Sequence, residues 1–322
     1  MDADALRDAG YTLYRIDGGD NRYYYTVQNG QVLYYVSVTS LIKSTTPTSP
    51  GLIGWMLNTP NHDYERDSAA AYGTLFHIEA SKLLINRTYD LDAAGDVVDE
   101  YTNQVGYREK AGQWIAKLHK DMLALAAWMQ DYKVKALAVE CVLAHPDGYA
   151  GAVDLLCKMT VTDKVKGYHG EVYKSGPRKG QQKETTKEFT QEITAIVDFK
   201  TGAHFYDSHE IQLDLYKRMV EHTWDDISVD RLYNWKPKAW RSAPGYDLKD
   251  QTGTPAQLKT DTLVKLWRID NPEPKPSQGP VAKGVIDLDQ PLDDNFSTQS
   301  LEELLMELEQ DGQTQTNQTD LF

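Results

Sequence analysis

The chain of 322 residues carries a formal net charge of −14 and is 40% hydrophobic and 25% charged, which is ordinary for a globular protein with a sizeable core. Its two cysteines exclude a disulfide framework, a four-cysteine zinc site and a four-cysteine iron–sulfur cluster. No apolar run approaches the ~20 residues that span a bilayer, and the first ten residues lack the basic and apolar segments of a signal peptide. We therefore expect a cytoplasmic protein without a membrane partner.

The charge is distributed unevenly along the chain. Residues 281–322 contain ten acidic residues against one lysine, whereas residues 158–183 contain seven lysines and arginines against two acids. The negative total therefore hides a basic segment and an acidic tail, and it does not exclude a nucleic-acid partner.

The N-terminal half predicts a β-hairpin followed by helices. Two alternating aromatic runs meet at Asn29-Gly30, a dipeptide typical of a two-residue hairpin turn. Residues 66–86 are rich in alanine and place apolar side chains at helical spacing. Further helices are expected within residues 100–131.

The C-terminal half predicts strands that alternate with a helix. Residues 136–159 read as a hairpin around a Pro-Asp-Gly turn, and residues 162–192 as a loop or an extended hairpin. A buried strand at 193–202, a helix at 208–222 and a strand at 228–237 follow. This order favours an α/β or α+β core with a mixed central sheet.

The chain changes character after residue 270. Proline and glycine at 271–280 mark a linker, and the rest is acidic and poor in aromatic residues, so we expect a flexible, disordered tail. Ser300 and Glu303 form a capping-box pattern that predicts one short helix there. The sequence thus divides into a domain at 1–270 and a tail at 271–322.

The predicted strand "ITAIVDFKTG" at 193–202 carries an acid and a base on one face. Because side chains alternate along a strand, Asp198 and Lys200 point to the same side, about 7 Å apart at ~3.3 Å per residue. An isolated D-x-K is most often a salt bridge at a strand end. Acids in neighbouring apolar strands change that interpretation.

Two further acids lie in the preceding hairpin, Asp154 in "GAVDLL" and Glu140 in "LAVECVL". A buried lone carboxylate is expensive, so acids in adjacent core strands need a cation, a proton or hydrogen-bond donors. A divalent metal ion would satisfy several of them at once.

Two helical pairs flank these strands. His77 follows Gly73 by four residues on one helical face, and Tyr216 follows Gln212 by four on another. A lone histidine on an apolar helix is more often a core residue, and a polar and aromatic pair is common on a half-buried helix. Gly73 costs about 1 kcal/mol in a helix relative to Ala, which close packing against a strand or a ligand would explain.

Taken in order, these pieces are G-x-x-x-H on a helix, G-x-x-D in a strand, D-x-K in the next strand and Q-x-x-x-Y on a helix. This order resembles the PD-(D/E)XK nuclease superfamily over about residues 35–240, and within it the RecB-like branch. That branch includes recombination exonucleases of bacteria and their viruses and the nucleases of CRISPR adaptation. The resemblance implies an α/β restriction-endonuclease-like core, and a host cytoplasm as the compartment if the chain is viral.

The resemblance also implies roles for individual residues. His77, Asp154 and Asp198 would be metal ligands, together with the backbone carbonyl of Phe199. Lys200 would position or activate the attacking water. Glu140 matches an acid often found in the strand before G-x-x-D, but whether it faces Asp154 depends on the hairpin register, which a bulge at Gly151 would change. Gln212 and Tyr216 would contact DNA or support the site.

The expected cofactor is Mg²⁺ or Mn²⁺, as one or two ions. Oxygen-rich ligands suit these hard ions, and one histidine is particularly compatible with Mn²⁺. Such an ion neutralises phosphate charge and generates a nucleophile at neutral pH. The iron–sulfur cluster of some RecB relatives is expected to be absent, because its cysteines are missing.

Two basic stretches are candidates for DNA binding without sequence readout. The first, between the two predicted catalytic strands, could track phosphates beside the site or be a solvated loop; it holds Lys174, Arg178, Lys179 and Lys183 among tyrosines. The second, "NWKPKAWR", offers Trp235, Lys236, Lys238, Trp240 and Arg241.

The last five residues, "QTDLF", resemble the pentapeptide by which bacterial replication proteins bind the sliding clamp, and also the tips of single-stranded DNA-binding proteins. Leu321 and Phe322 would fill an apolar pocket, and Gln318 would bond at its rim, with Asp320 as the acidic position. Five residues match by chance fairly often, so a featureless tail is the alternative.

The sequence therefore predicts a metal-dependent DNA exonuclease of recombination, repair or replication-linked end processing, acting on duplex ends and tethered to a clamp or a single-strand-binding protein. A structure-specific endonuclease or junction resolvase on the same fold is the enzymatic alternative. A DNA-binding or clamp-bound scaffold without the reaction is the non-enzymatic one.

Overall fold

The computed structural model describes residues 11–18, 21–202, 204–272, 274–276, 281–284 and 296–310, and within these ranges it leaves out the side chains at 168–169, 183–185, 254, 283–284, 296 and 309–310. Among the described residues, none of the helices combines the length and the apolar character that crossing a bilayer requires.

The described strands are ten. They are β1 Tyr14–Gly18, β2 Asn21–Gln28, β3 Gln31–Ser37, β4 Lys135–His145, β5 Tyr149–Val172, β6 Gln182–Phe199, β7 Arg231–Lys238, β8 Gly245–Asp250, β9 Val281–Gly284 and β10 Phe296–Gln299.

The described α-helices are eight, and one 3₁₀ turn at Arg108–Lys110 precedes the fifth. They are α1 Val38–Thr45, α2 Pro50–Asn58, α3 His62–Asn86, α4 Ala94–Val105, α5 Ala111–Asp131, α6 Asp207–Thr223, α7 Thr254–Asp270 and α8 Leu301–Gln310.

Eight strands form one mixed sheet in the order β1-β2-β3-β5-β6-β7-β8, with β4 paired to the other edge of β5. The β3–β5 and β6–β7 pairs are parallel, and the remaining pairs are antiparallel. The expected mixed sheet flanked by helices is thus confirmed. The predicted helices at 66–86 and 208–222 correspond to α3 and α6.

Helices cover both faces of the sheet because β6 alternates its side chains between two cores. Val197 and Phe199 pack with α3, α4 and α5 on one face, where the Phe76 ring stacks on Trp235 at 5.7 Å. Ile196 packs with α1, α6 and α7 on the other face. Burying a large apolar side chain contributes roughly 1.5–3 kcal/mol, so the two layers hold the sheet between them.

The pairing of β5 changes partner along one edge. Tyr149 and Ala150 pair with β3, but the ladder with β6 begins only at Leu155, opposite Val197. Residues 151–154 of β5 therefore face a gap in the sheet. At the other end, β5 and β6 run on together well past the last β4 and β7 pairs as an exposed two-stranded ribbon.

The described part of the C-terminal stretch is folded, contrary to the expected disordered tail. Strands β9 and β10 pair, and Leu301 and Leu305 of α8 pack against Tyr25 of the N-terminal hairpin. The predicted capping box is confirmed, because the Ser300 N–H donates to Glu303 at 2.8 Å and the Glu303 N–H donates to Ser300 Oγ at 3.2 Å. Residues 311–322, with Gln318, Asp320, Leu321 and Phe322, lie outside the described residues.

Gly151 permits the close approach of α6 to the gap in the sheet. A Cβ at this position would lie 3.0 Å from Cε1 of Tyr216 and 3.3 Å from Cγ2 of Val38.

We expect Gly151→Ala to lower the free energy of unfolding by about 1–3 kcal/mol through overpacking, measured by urea denaturation. The control is Gly112→Ala in α5, where a Cβ meets no atom within 4 Å; it should stabilise the protein by up to about 1 kcal/mol. Equal stability of the Gly151 variant and the wild type would contradict the tight packing.

Candidate metal centre

Three side chains from three elements converge beside the gap. His77 comes from α3, Glu140 from β4 and Asp154 from β5. His77 Nδ1 lies 2.9 Å from Oε1 of Glu140 and 3.7 Å from Oδ1 of Asp154. One ligand atom from each lies within 4.8 Å of the others, which makes the group a candidate metal site.

An extra residue in β4 brings Glu140 into this group. Ala136 lies opposite Cys157 but Ala138 lies opposite Leu156, so one residue is inserted between them. Beyond the insertion, Glu140 is level with Asp154; without it, Glu140 would lie opposite Val153, whose side chain faces the core. The register that decides the direction of Glu140 is thus set by an irregularity before Glu140, whereas Gly151 pairs regularly with Leu143.

The backbone of Glu140 is in a conformation that L-residues rarely adopt. Its φ is +47°, in the left-handed region, although Glu140 is within a strand. Such a conformation costs of order 1–3 kcal/mol in a non-glycine residue and persists where the surroundings impose it. Backbone strain at a cluster of acids points to a functional position.

Gly73 sets the height of His77 above the sheet. A Cβ on Gly73 would lie 3.3 Å from Oγ1 of Thr201, in the turn after β6. The expectation that this glycine serves close packing is therefore confirmed, and one helical turn later His77 reaches the carboxylates. His77 also contacts the Phe76 and Phe199 rings edge-on, at 6.3 and 6.2 Å between centroids.

Asp154 replaces a backbone partner where the β5–β6 ladder ends. Its Oδ2 accepts a hydrogen bond of 2.7 Å from the Phe199 N–H. Burial raises the pKa of Asp154 to about 6, with the charge of His77 opposing the rise and that of Glu140 adding to it. Burial lowers the pKa of His77, but Asp154 and Glu140 outweigh it and raise the pKa to about 9. The two carboxylates thus create a field that attracts a cation.

The Asp198 and Lys200 pair is formed as the sequence suggested. Lys200 Nζ lies 2.9 Å from Oδ1 and 2.8 Å from Oδ2 of Asp198, which is 1% exposed. Burial raises the pKa of Asp198, and the Lys200 charge opposes the rise. The ladder register places Asp198 level with Asp154 across the gap.

The closest ligand group differs from the expected set. His77 and Asp154 are joined by Glu140, whereas Asp198 is bonded to Lys200 and, at 2.7 Å, to Nδ2 of Asn234. The Phe199 backbone supplies its N–H to Asp154, and its carbonyl as a ligand stays a prediction.

Gln212 and Tyr216 form the other side of the site. Lys200 Nζ donates to Gln212 Oε1 at 3.0 Å, and Gln212 Nε2 donates to the Tyr216 hydroxyl at 2.7 Å. Both are buried, at 8% and 4% exposure. Of their two expected roles, the structure therefore favours support of Lys200 over contact with DNA.

The amide that holds Asp198, that of Asn234, was not among the residues expected from the sequence. Asn234 is fully buried in β7, donates to Asp198, and accepts from Gln251 Nε2 at 2.8 Å. An asparagine between two aromatic residues of an apolar strand was the available signal, because a buried amide needs partners.

His209, in the first turn of α6, was also not expected from the sequence. Burial and then the Lys200 charge lower its pKa to about 4, so it is neutral.

The first basic stretch lies farther from the site than expected. Lys164 already lies ten residues from Asp154 along β5, roughly 33 Å at ~3.3 Å per residue. Lys174, Arg178 and Lys179 lie farther out, near the ribbon tip, where Arg178 stands 6.0 Å from the Tyr173 ring. The side chain of Lys183 lies outside the described residues. The position of the described basic residues favours the solvated alternative over phosphate contacts beside the site, and their contact with DNA stays a prediction.

The second basic stretch is partly inside the core. Trp235 is fully buried and cannot contact DNA, which corrects that expectation. Lys236 and Lys238 lie 3.8 and 3.3 Å from Asp247, and Arg241 is exposed in the β7–β8 turn. This turn, unlike the ribbon, is near the end of β6.

The donor set fits a divalent ion. Two ligand atoms at ~2.1 Å from an ion and at right angles are ~3.0 Å apart, close to the 2.9 Å between His77 and Glu140. Carboxylate oxygens suit hard ions such as Mg²⁺ and Mn²⁺, whereas an imidazole nitrogen also suits Zn²⁺ or Fe²⁺, so the choice of Mg²⁺ or Mn²⁺ stays a prediction. A scan of protein-family models and a search of curated proteins each found no match to the chain.

We expect Mn²⁺ to bind, because the ion relieves the repulsion between Glu140 and Asp154, and at a free concentration of 100 Kd mass action then stabilises the protein by about 2.7 kcal/mol. Glu140→Gln removes one of the two charges and should weaken binding at least about tenfold. Calorimetric titration and thermal melting measure both effects. Glu192→Gln, at an exposed carboxylate of β6, should bind Mn²⁺ as the wild type does. Unchanged affinity in Glu140→Gln would exclude Glu140 as a ligand.

Proposed function

We propose that the protein is a metal-dependent deoxyribonuclease that hydrolyses phosphodiester bonds, acting as an exonuclease on duplex ends without sequence preference. The observation that carries the proposal is the group of His77, Glu140 and Asp154 beside the gap, with Asp198 and Lys200 directly across it. These residues come from α3, β4, β5, β6 and the residue that directly follows β6, so only the folded chain assembles them.

The residue types suit phosphodiester hydrolysis. A bound Mg²⁺ or Mn²⁺ would neutralise charge on the phosphate and polarise the attacking water. His77, Glu140 and Asp154 would hold it, with Asp198 as a further carboxylate within reach of the same gap. Lys200 presents a fixed ammonium group that would donate to the water or to a phosphate oxygen.

The supports of Lys200 keep that ammonium group oriented. Asp198 and Gln212 each accept from Nζ, and Asn234 and Tyr216 hold those two acceptors in turn. An ammonium group held by two acceptors loses little orientation when substrate binds, which favours catalysis by preorganised charge. A binding scaffold has no need for such a network.

Two further observations disfavour the scaffold. The left-handed backbone of Glu140 and the burial of several charged side chains both destabilise the fold. Proteins retain such features where a site depends on them. The resemblance of the motif order to PD-(D/E)XK nucleases supports the same conclusion, because both motif glycines, Gly73 and Gly151, serve close approach to the site.

The tether is a separate part of the proposal. Gln318, Asp320, Leu321 and Phe322 would bind a sliding clamp or a single-strand-binding protein, on the resemblance of the last five residues. Binding through a terminal peptide leaves the nuclease domain free to act on nearby DNA ends.

Lys200→Ala should reduce Mg²⁺-dependent degradation of linear DNA by about 100-fold or more, the lower range for losing a positioned catalytic group. Asp198→Asn should be similarly impaired, because it weakens the hold on Lys200 and removes a carboxylate from the gap. End-labelled duplex digestion measures the rate, and urea unfolding verifies the fold. Lys217→Ala, in α6 but bonded to the Val229 carbonyl, should retain wild-type activity. Undiminished digestion by the Lys200 variant would refute the assignment.

The form of the DNA substrate distinguishes exonuclease activity from endonuclease activity. We expect linear duplex to be degraded with Mg²⁺ or Mn²⁺ while covalently closed circles stay intact, because only the former has an end. Gel electrophoresis of linear, nicked and closed DNA, with and without chelator, measures this. Cutting of closed circles or of junctions would favour the endonuclease alternative instead.

A further inference from the structure

A cleft of about 610 Å³ opens beside the end of β6. Its walls are α5 on one side and the β7–β8 turn on the other, and its floor includes Thr201 and Gly202. These two residues directly follow Lys200, and Thr201 contacts the Gly73 position of α3. The cleft is therefore continuous with the chain segment that carries the candidate catalytic lysine.

The lining of the cleft is basic although the chain is acidic overall. Lys117 and Lys120 come from α5, and Lys236 and Lys238 from β7. The lining acids are two, Asp121 and Asp247, so the lining has an excess of two positive charges in a chain of net charge −14. Such a local excess favours a polyanionic ligand.

The four lysines are not equally available to a ligand. Lys117 is 2.5 Å from the buried Asp121 and stands 4.0 Å from the Tyr72 ring, so it has a structural partner on each side. Lys120 is exposed at the mouth of the cleft, and Lys238 is exposed and lies 3.3 Å from Asp247. Lys120 and Lys238 thus present charge from opposite walls.

Trp240 adds an aromatic surface to the same lining. Its ring is half-buried, and its Nε1 donates to the Lys120 carbonyl at 3.4 Å, which ties the β7–β8 turn to α5. A tryptophan among lysines is the combination that binds single-stranded nucleic acid, because bases stack on the ring while phosphates meet the charges.

We infer that this cleft binds a short segment of single-stranded DNA next to the cleavage site, with phosphates on Lys120 and Lys238 and a base on Trp240. Its volume is in the ~300–1,000 Å³ range of small-ligand pockets, which suits one or two nucleotides and not a duplex. The inference rests on the proposed function for the choice of DNA, and it names the path of one strand of that substrate. Lys120 extends the binding surface to α5, on the opposite side of the cleft from Lys238 of β7 and Trp240 of the β7–β8 turn.

The test is binding of a fluorescent single-stranded oligonucleotide, measured by anisotropy with chelator present over a range of salt concentrations. Lys120→Glu with Lys238→Glu should weaken binding at least about tenfold. The double variant should also reduce the magnitude of the slope of log K against log salt concentration by ~1.4, because each single-strand phosphate contact contributes ~0.7 to that slope. The matched control replaces two other exposed lysines, Lys265 of α7 and Lys275, with Glu. Lys265 belongs to the helical layer on the other face of the sheet.

The outcomes separate the cleft from general electrostatics. A larger loss in the cleft pair than in the control pair supports the inference. An equal loss in both pairs, or no binding by the wild type, overturns it. Because the assay needs no cleavage, a protein that binds through the cleft but digests no DNA would refute the proposed nuclease while the cleft stands.

Trp240→Ala gives a second, uncharged readout. It should weaken binding by about 5- to 100-fold, the range for losing one stacked base, while leaving the salt dependence unchanged. Thermal melting verifies that the variant is folded. Wild-type affinity in this variant would exclude stacking on Trp240.

Discussion

The ladder between β5 and β6 ends at Leu155 and Val197, and the next N–H on that edge of β6, that of Phe199, donates to the Asp154 side chain at 2.7 Å. A carboxylate here takes the place of a strand, so the sheet opens without leaving a buried backbone donor unpaired. At this opening, polar side chains of β4, β5 and β6 meet those of α3 on one face of the sheet and of α6 on the other. The surrounding core is apolar. Asp154 is thus both the structural cap of the gap and a member of the candidate site.

The charges around the gap make it a candidate cation site. Glu140 and Asp154 face one histidine, and the pKa of His77 is raised to about 9 by them against the effect of burial. A proton on His77 satisfies this field in part, and a divalent ion would satisfy it more completely. Across the gap, Lys200 pairs with Asp198, and its charge also opposes part of the rise in the pKa of Asp154. Asymmetry of this kind suits a site that binds a cation on one side and offers a donor on the other.

Net charge proved a poor guide to where a polyanion could bind. The chain is acidic as a whole, and α8, with several of the acids, packs on the N-terminal hairpin through Leu301 and Leu305. The basic ribbon extends away from the gap, while the cleft between α5 and the β7–β8 turn is lined by Thr201 and Gly202, which directly follow Lys200. The density of positive charge along the sequence favoured the ribbon, because the sequence does not show how far the ribbon lies from the gap in the folded chain.

Local pattern alone determined the elements that carry the site. Helical spacing predicted α3 with His77 and α6 with Gln212 and Tyr216, and apolar runs with turn dipeptides predicted the strands that hold Asp154 and Asp198. These predictions succeeded because backbone conformation follows from neighbours a few residues apart.

Tertiary structure decided how those elements meet. The extra residue in β4 that turns Glu140 toward Asp154, the burial of Trp235 in the core, and the bond of Asn234 to Asp198 depend on residues far apart in the chain. A one-residue change of register reverses every side chain of a strand, and no local pattern specifies that register. The sequence therefore contained the candidate groups, and the packing of the sheet against its two helical layers selected which of them lie together.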